Sequence, residues 1–199
     1  MNIVITAMVL AVFGGVVFMR PEEGPSALAV CLIASVPAII ILARQPEQRT
    51  FLMRLFLIAL IVRIALAMVI FVGHMEEFFG GDANTYDIFG QSLVQSWHGD
   101  VYHAGKFLSF TQSGASAWGM LYMVAAVYEV FGRNILAIQL LNAAIGASTA
   151  IVVYHVAQTL FSNTRVSKVA AVLVAFFPSL VLWSSQALKD SVSSSVKKQ

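Results

Sequence analysis

The sequence has few charged residues and a single cysteine. Only 11% of its 199 residues are Asp, Glu, Lys or Arg, against roughly 25% in a soluble domain. Cys31 has no second cysteine in the chain to pair with, which excludes an intrachain disulfide or a cysteine-based metal centre. The net charge of +2 is small, and no basic stripe interleaved with aromatics is present. Nucleic-acid binding is therefore not expected.

Apolar residues dominate instead, at 59% of the chain with a mean hydropathy of +0.82. This composition predicts an all-α, polytopic integral membrane protein, because a spanning helix needs about 20 mainly apolar residues. We expect Pro37 and Pro178 to kink the spans that contain them. About five spans are predicted, at Asn2–Met19, Ser26–Ala43, Phe51–Gly73, Ile135–Phe161 and Val166–Ser184.

Basic residues in two loops predict the topology. The loop at 44–54 contains three arginines, and the loop at 162–168 contains Arg165 and Lys168. Because short cytoplasmic loops are enriched in Lys and Arg, both loops are expected inside. Residues 74–134 and the tail from Gln186 then face the exterior, which in a bacterial inner membrane is the periplasm. Residues 116–131 would measure only about 24 Å as a helix and contain Glu129, so we predict that they lie in the outer interface without crossing.

The outer segment begins with a polar island at residues 74–113. It contains five of the ten acidic residues and three of the four histidines. Within it, Asn84–Trp97 has apolar residues at helical spacing on one face and polar residues on the other. We therefore predict a long outer loop containing two interfacial helices, Asn84–Trp97 and Ser116–Phe131.

Two aspartates of the island are candidate catalytic residues. Asp82 follows Gly80-Gly81 and precedes the predicted helix, so its carboxylate could cap that helix or act as a general base. Asp87 lies on the polar face of the same helix. It could pair with Asp82 to hold a base, a divalent cation or both, or it could be a solvated surface charge.

Three further residues of the island, His98, Asp100 and His103, have side chains that bind metals. Glu76 and Glu77 are nearby in the sequence. Their spacing matches no strong metal-binding motif, and they could instead be solvated loop residues. A requirement for a divalent cation therefore stays open, and no other cofactor is indicated.

Charged residues associated with the spans form a second group of candidates. Arg63 lies in the middle of the third span, where a charge is costly. It could pair with an acidic residue, contact a lipid phosphate, or extend to the interface. Lys189 and Asp190 follow the fifth span and are expected at the same outer surface as Asp82, where they would suit a phosphate and a cation or be ordinary interface charges.

Three stretches, GGDANTYDIFGQSLVQSW, SGASAWGMLYMVAAVYEVFGRNILAIQLLN and VAAVLVAFFPSLVLWSSQALKDS, resemble the polyprenyl-phosphate-dependent membrane glycosyltransferases of the C-type fold. This superfamily includes protein mannosyltransferases and bacterial lipid A sugar transferases. In it, a helix enters the exterior and is followed by a loop with an acidic motif and two surface helices. The resemblance covers residues 51–191. Residues 1–50 are then a two-helix addition, and residues 192–199 a Ser/Lys tail.

The resemblance implies a hexosyl or pentosyl transferase. It implies that Asp82 is the catalytic base and that Lys189 and Asp190 lie near the lipid phosphate. The expected partners are a polyprenyl-phosphate sugar donor, a glycan, lipid or protein acceptor, and membrane lipids. Many members have a second acidic residue beside the first, where this sequence has Ala83.

Members of the family usually continue with many further spans, whereas this sequence stops at Gln199. We therefore expect transfer to need a C-terminal part beyond it. The alternative is a non-catalytic accessory or truncated protein that binds lipid or partner helices.

Overall fold

The computed structural model describes residues 3–44, 47–75, 82–112 and 118–187, with the side chains of Asp82 and Trp118 excepted. Every regular element in these ranges is an α-helix, as the composition predicts. The helices are α1 (Ile3–Met19), α2 (Gly24–Ala43), α3 (Arg49–Val72), α4 (Asp82–Trp97), α5 (Val101–Gln112), α6 (Trp118–Phe131), α7 (Ile135–Phe161), α8 (Thr164–Phe176) and α9 (Pro178–Ser184).

Three helices in the described ranges, α2, α3 and α7, are long and apolar enough to cross a membrane. α8 and α9 together would form a fourth span, bent by 53°. The expected count of about five therefore falls to three or four. The difference is α1, whose 17 residues measure roughly 26 Å, short of a hydrocarbon layer of about 30 Å.

The kink predicted at Pro178 is observed, and the one predicted at Pro37 stays a prediction. The chain breaks between α8 and α9 at Phe177, which is extended, and Pro178 begins α9. Proline suits the first helical position because it has no N–H to leave unpaired. Pro37 instead lies inside α2, which continues through it to Ala43.

α7 is the central helix and packs against α2, α3 and α8. Its buried face is rich in alanine, and Ala137, Ala143, Ala147 and Ala150 have no exposed surface. Small side chains allow helix backbones to approach closely, which is how helices associate where lipid removes the hydrophobic driving force.

The two basic loops lie at one end of this bundle. Lys168 Nζ at the start of α8 lies 5.1 Å from the ring centroid of Phe51 at the start of α3. Ser167 donates to Gln158 Oε1 near the end of α7 at 3.0 Å. This shared end agrees with the prediction that both loops face the same side of the membrane.

The opposite end gathers the α1–α2 turn, the end of α3 and the start of α7. Arg20 Cζ lies 4.7 Å from the ring centroid of Phe71. Asn134 Nδ2 donates to the carbonyl of Glu23 at 2.8 Å and to Ser26 Oγ at 2.9 Å. The chain between α3 and α7 therefore leaves and re-enters the bundle at one end, in agreement with the prediction that residues 116–131 do not cross.

Three helices, α4, α5 and α6, lie between α3 and α7 where two were predicted. The two predicted ones are observed with slightly different bounds. The additional helix, α5, begins after Asp100, whose Oδ1 accepts the backbone N–H of His103 at 3.1 Å. This contact caps the helix, and Phe107 and Thr111 form its buried face at helical spacing.

Candidate functional site

Asp82 is the first residue of α4, two residues earlier than the predicted start of that helix. Its side chain lies outside the described part of the structure, so its role as base or cap stays a prediction. The next residue, Ala83, is only 2% exposed. Ala83 packs into a hydrophobic cluster that α4, α5 and α6 share with the start of α7 and with Ala187, which follows α9. The backbone at Asp82 is thus anchored by the burial of its neighbour.

We call this the outer cluster, because the sequence predicts that this end of the bundle faces the exterior. Its buried members are Ala83, Tyr86, Leu93, Val94, Phe107, Met120, Leu121, Val124, Ala125, Tyr128, Ile138 and Ala187. Ala187, which follows α9, is 1% exposed. Lys189 and Asp190 come two and three residues after it in the sequence and lie outside the described residues. The outer cluster therefore joins the start of α4 to the segment that leads into the second predicted motif.

Asp87 has partners that the sequence did not reveal. Its Oδ1 accepts from the hydroxyl of Tyr128 at 2.7 Å and from Arg133 Nε at 3.1 Å. Its Oδ2 accepts from the other end of the same guanidinium. This bidentate pair matches guanidinium geometry to both carboxylate oxygens. Asp87 is thus neither a solvated charge nor a free carboxylate. Its catalytic role stays a prediction.

The Asp87 carboxylate changes the acid–base behaviour of both partners. Burial, followed by the charge and the hydrogen bond of Asp87, raises the pKa of Tyr128 above its ordinary value. The hydrogen bond to Asp87 also raises the pKa of Arg133. Tyr128 therefore remains a neutral donor and Arg133 a cation, so the three residues form a fixed link between α4, α6 and the segment before α7.

Two glycines allow this link to form. Gly132 has φ +79°, a backbone conformation that costs a residue with a Cβ roughly 1–2 kcal/mol, and it turns the chain between α6 and Arg133. Gly90 in α4 faces Val124 in α6, where an added Cβ would lie 2.4 Å from Val124 Cγ1. The close approach of α4 and α6 therefore depends on the absence of a side chain at position 90.

The predicted metal-binding residues do not converge in the described ranges. Asp100 Oδ2 lies 2.7 Å from His103 Nδ1, and this contact holds the pKa of Asp100 below its ordinary value. His98 Nε2 instead lies 3.0 Å from Glu129 Oε2 on α6. No group of three or more His, Cys, Asp or Glu that could hold a metal ion is found there. Glu76 and Glu77 lie outside those ranges.

Arg63 is fully buried in α3. Its Nε donates to Ser184 Oγ at 2.8 Å, and its Nη1 donates to the carbonyls of Ala59 at 3.1 Å and Ala175 at 2.9 Å. Within the described chain, the ion pairs found include none with Arg63. The side chain of Arg63 does not extend to the membrane interface, which was one of the three possibilities that the sequence left open for it. Contact with a lipid phosphate stays a prediction.

Tyr128, Arg133 and Gly146 were missed by sequence reasoning. Tyr128 and Arg133 lie in one of the stretches that resemble the glycosyltransferase family, and only their positions on either side of Gly132 could have suggested that they share a partner. Gly146 lies opposite Ser184, where an added Cβ would be 2.5 Å from Ser184 Cβ and 3.1 Å from Arg63 Nε. A glycine in the middle of a predicted span is a weak signal of such close packing.

These features define a helical integral membrane protein with a helical assembly at one end of its bundle. Residues 116–195 match the model of the dolichyl-phosphate-mannose-protein mannosyltransferase family. The match supports the resemblance to polyprenyl-phosphate-dependent membrane glycosyltransferases. It covers α6 to α9 and includes Lys189 and Asp190, but it does not reach Asp82. No curated protein and no solved structure matches the chain.

Proposed function

We propose that this chain acts as a glycosyltransferase that moves a sugar, of the mannosyl class, from a polyprenyl-phosphate carrier to an acceptor hydroxyl outside the cytoplasm. One observation carries this proposal. Ala83, next to Asp82, and Ala187, two residues before Lys189 in the sequence, are both buried in the outer cluster at one end of the bundle. The family match to residues 116–195 supports the class of reaction.

The reaction needs two kinds of group, and the two segments supply them. A bond forms between the acceptor oxygen and the anomeric carbon, while the bond from that carbon to the carrier phosphate breaks. In our proposal, Asp82 takes the proton of the acceptor hydroxyl as general base. Lys189 stabilises the negative charge on the departing polyprenyl phosphate, and Asp190 orients Lys189 or a cation beside that phosphate.

We place these segments on the extracytoplasmic side. Arg44, Arg49 and Arg54 belong to one connection and Arg165 and Lys168 to the other, and both connections lie at the bundle end away from the outer cluster. Because Lys and Arg concentrate in cytoplasmic loops, the outer cluster then faces the exterior. A carrier with its polyprenyl tail in the bilayer would present its phosphate at that level.

The test is sugar transfer by the purified, active protein, with polyprenyl-phosphate mannose as donor. We expect Asp82→Asn to reduce turnover at least about 100-fold, since general base catalysis contributes typically 10²–10⁴-fold, while the protein stays inserted and folded. The matched control is Asp100→Asn, because asparagine also caps helices and Asp100 lies outside the proposed site.

Unchanged turnover by the Asp82→Asn variant would remove Asp82 from the mechanism. The accessory alternative would be favoured if the wild-type protein bound the lipid donor but transferred no sugar from any polyprenyl-phosphate donor.

A further inference from the structure

We propose that Arg63 is a positioning residue that fixes the angle of α9 and thereby holds the chain from Ser184 to Ala187, which leads in the sequence to Lys189-Asp190. This inference rests on the proposed function only for the role given to Lys189 and Asp190 in binding the carrier phosphate. The contacts that carry it lie within the described bundle and involve α3, α7, α8 and α9.

The first part of the argument concerns the break between α8 and α9. Ala175 is in the last turn of α8, whose last four carbonyls have no partner within the helix. Pro178 has no N–H to offer, so the break itself leaves acceptors unpaired inside the membrane. The Nη1 of Arg63 donates to the carbonyl of Ala175 at 2.9 Å. Arg63 thus satisfies a carbonyl at the C-terminal end of α8, where a cation is also favoured by the helix dipole.

The second part concerns the other side of the break. Arg63 Nε donates to Ser184 Oγ at 2.8 Å, and Ser184 is the last residue of α9. The hydroxyl of Ser184 in turn donates to the carbonyl of Leu180 at 2.6 Å. One planar guanidinium therefore holds the end of α8 and the end of α9 at the same time. Because its donors form a rigid fork, this arrangement fixes the bend between the two helices.

α7 supports the same arrangement from the opposite side. The absence of a Cβ at Gly146 leaves room for Ser184 and for Arg63 Nε. One turn earlier on α7, Asn142 Nδ2 donates to the carbonyl of Gln186 at 2.7 Å. Ala187 follows directly and is buried in the outer cluster. The chain from Ser184 to Ala187 is therefore held at successive points just before Lys189.

The experiment measures this position directly and needs no substrate. In a Cys31→Ala background, a single cysteine is introduced by Ala187→Cys, and its rate of labelling by a membrane-permeable maleimide is measured in native membranes. We expect Arg63→Met to raise the rate at least about tenfold, because local opening exposes a site that is now buried. Arg54→Met, which removes an arginine from the exposed side of the same helix, should leave the rate unchanged.

Two milder variants keep the proposal falsifiable if Arg63→Met does not fold. Ser184→Ala removes one acceptor, and Gly146→Ala keeps the arginine but places a Cβ against Ser184 and close to Arg63 Nε. Both should give labelling rates between those of the wild type and Arg63→Met, and Arg63→Lys should restore only part of the protection. Rates within about twofold of the wild type in every folded variant would overturn the proposal.

A second measurement separates positioning from a general structural role. In the active protein, Arg63→Lys should raise KM for the polyprenyl-phosphate donor about fivefold or more and leave KM for the acceptor within about twofold. An equal change in both would overturn the positioning role. Normal labelling in the Arg63 variants, with transfer that depends on Asp82, would refute this inference alone. Altered labelling with no transfer by the wild type would refute the proposed function alone.

Discussion

The carboxylate of Asp87 accepts hydrogen bonds from Tyr128 in α6 and from Arg133 just beyond it. Tyr128 is only 3% exposed, whereas the side chain of Arg133 is 54% exposed. The two contacts should therefore differ in their contribution to stability. A buried hydroxyl left without its acceptor costs about 1–3 kcal/mol, and an exposed ion pair contributes about 0–1 kcal/mol.

The first prediction is an order of destabilisation for variants of this link. Asp87→Ala should lower the free energy of unfolding by about 2 kcal/mol, because it leaves both donors unpaired. Tyr128→Phe should cost about 1 kcal/mol, and Arg133→Ala less than about 1 kcal/mol. Denaturant unfolding of the purified protein in detergent measures all three. An Arg133→Ala variant as unstable as Asp87→Ala would show that the ion pair, and not the tyrosine, carries the link.

The second prediction concerns alkaline pH. The pKa of Tyr128 is raised in the folded protein by burial and by the charge of Asp87, while an unfolded tyrosine ionises near its ordinary pKa of about 10. The contribution of Tyr128 is therefore complete below about pH 10 and is lost as pH rises, by up to about 1.4 kcal/mol per pH unit. The free energy of unfolding of the wild type should fall more steeply above pH 10 than that of Tyr128→Phe. Parallel curves of unfolding free energy against pH for the wild type and Tyr128→Phe would contradict this prediction.

The third prediction tests the contact between α4 and α6. Gly90→Ala places a Cβ against Val124 and should destabilise the protein by about 1–3 kcal/mol through overpacking. Val124→Ala alone leaves a small cavity and should also destabilise. The double variant should be more stable than the sum of the two single effects predicts, since each change relieves the other. Strict additivity in unfolding measurements would mean that the two positions do not touch.

The fourth prediction separates two roles of Asn134. Its side-chain oxygen accepts from Ala137 N at 3.1 Å and caps α7, and its amide nitrogen donates to Glu23 and Ser26 in the α1–α2 turn. Asn134→Asp keeps the cap and removes the donor, whereas Asn134→Ala removes both. We expect Asn134→Ala to cost about 1 kcal/mol more than Asn134→Asp.

Thermal unfolding of the two Asn134 variants supplies the measurement. Equal stability of Asn134→Asp and the wild type would show that the link to the α1–α2 turn contributes nothing.

The sequence predicted the long spans best. Phe51–Gly73 and Ile135–Phe161 correspond closely to α3 and α7, because unbroken apolar runs of this length have no other stable arrangement in a membrane. The break at Pro178 was also predicted, since proline removes a donor and restricts its neighbour. α5 was missed because its only strong signal is the cap at Asp100, and its apolar residues are diluted by polar ones.

For the candidate site, the sequence predicted which residues belong to it from their order along the chain, but not which side chains contact one another. Asp82 and Lys189 are assigned by order along the chain, which a sequence does show. The partners of Arg63 could not be found this way, because one of them is a backbone carbonyl left unpaired by the break in another helix. Likewise, Asp87 looks like a surface charge on its own helix, and its contact with Arg133 depends on the turn at Gly132 that brings Arg133 back.

The buried arginine also has a consequence for how the protein is made. Arg63 and its partner Ser184 are separated by 121 residues, so α3 is synthesised and enters the bilayer long before α8 and α9 exist. During that interval the guanidinium has no partner from either helix, and a charge at such depth is costly. The flanking apolar residues of α3 must sustain insertion on their own. Docking of α8 and α9 then lowers the cost late in biogenesis. A nascent chain stopped before Ala175 would keep donors of this guanidinium unsatisfied, which cellular quality control could recognise.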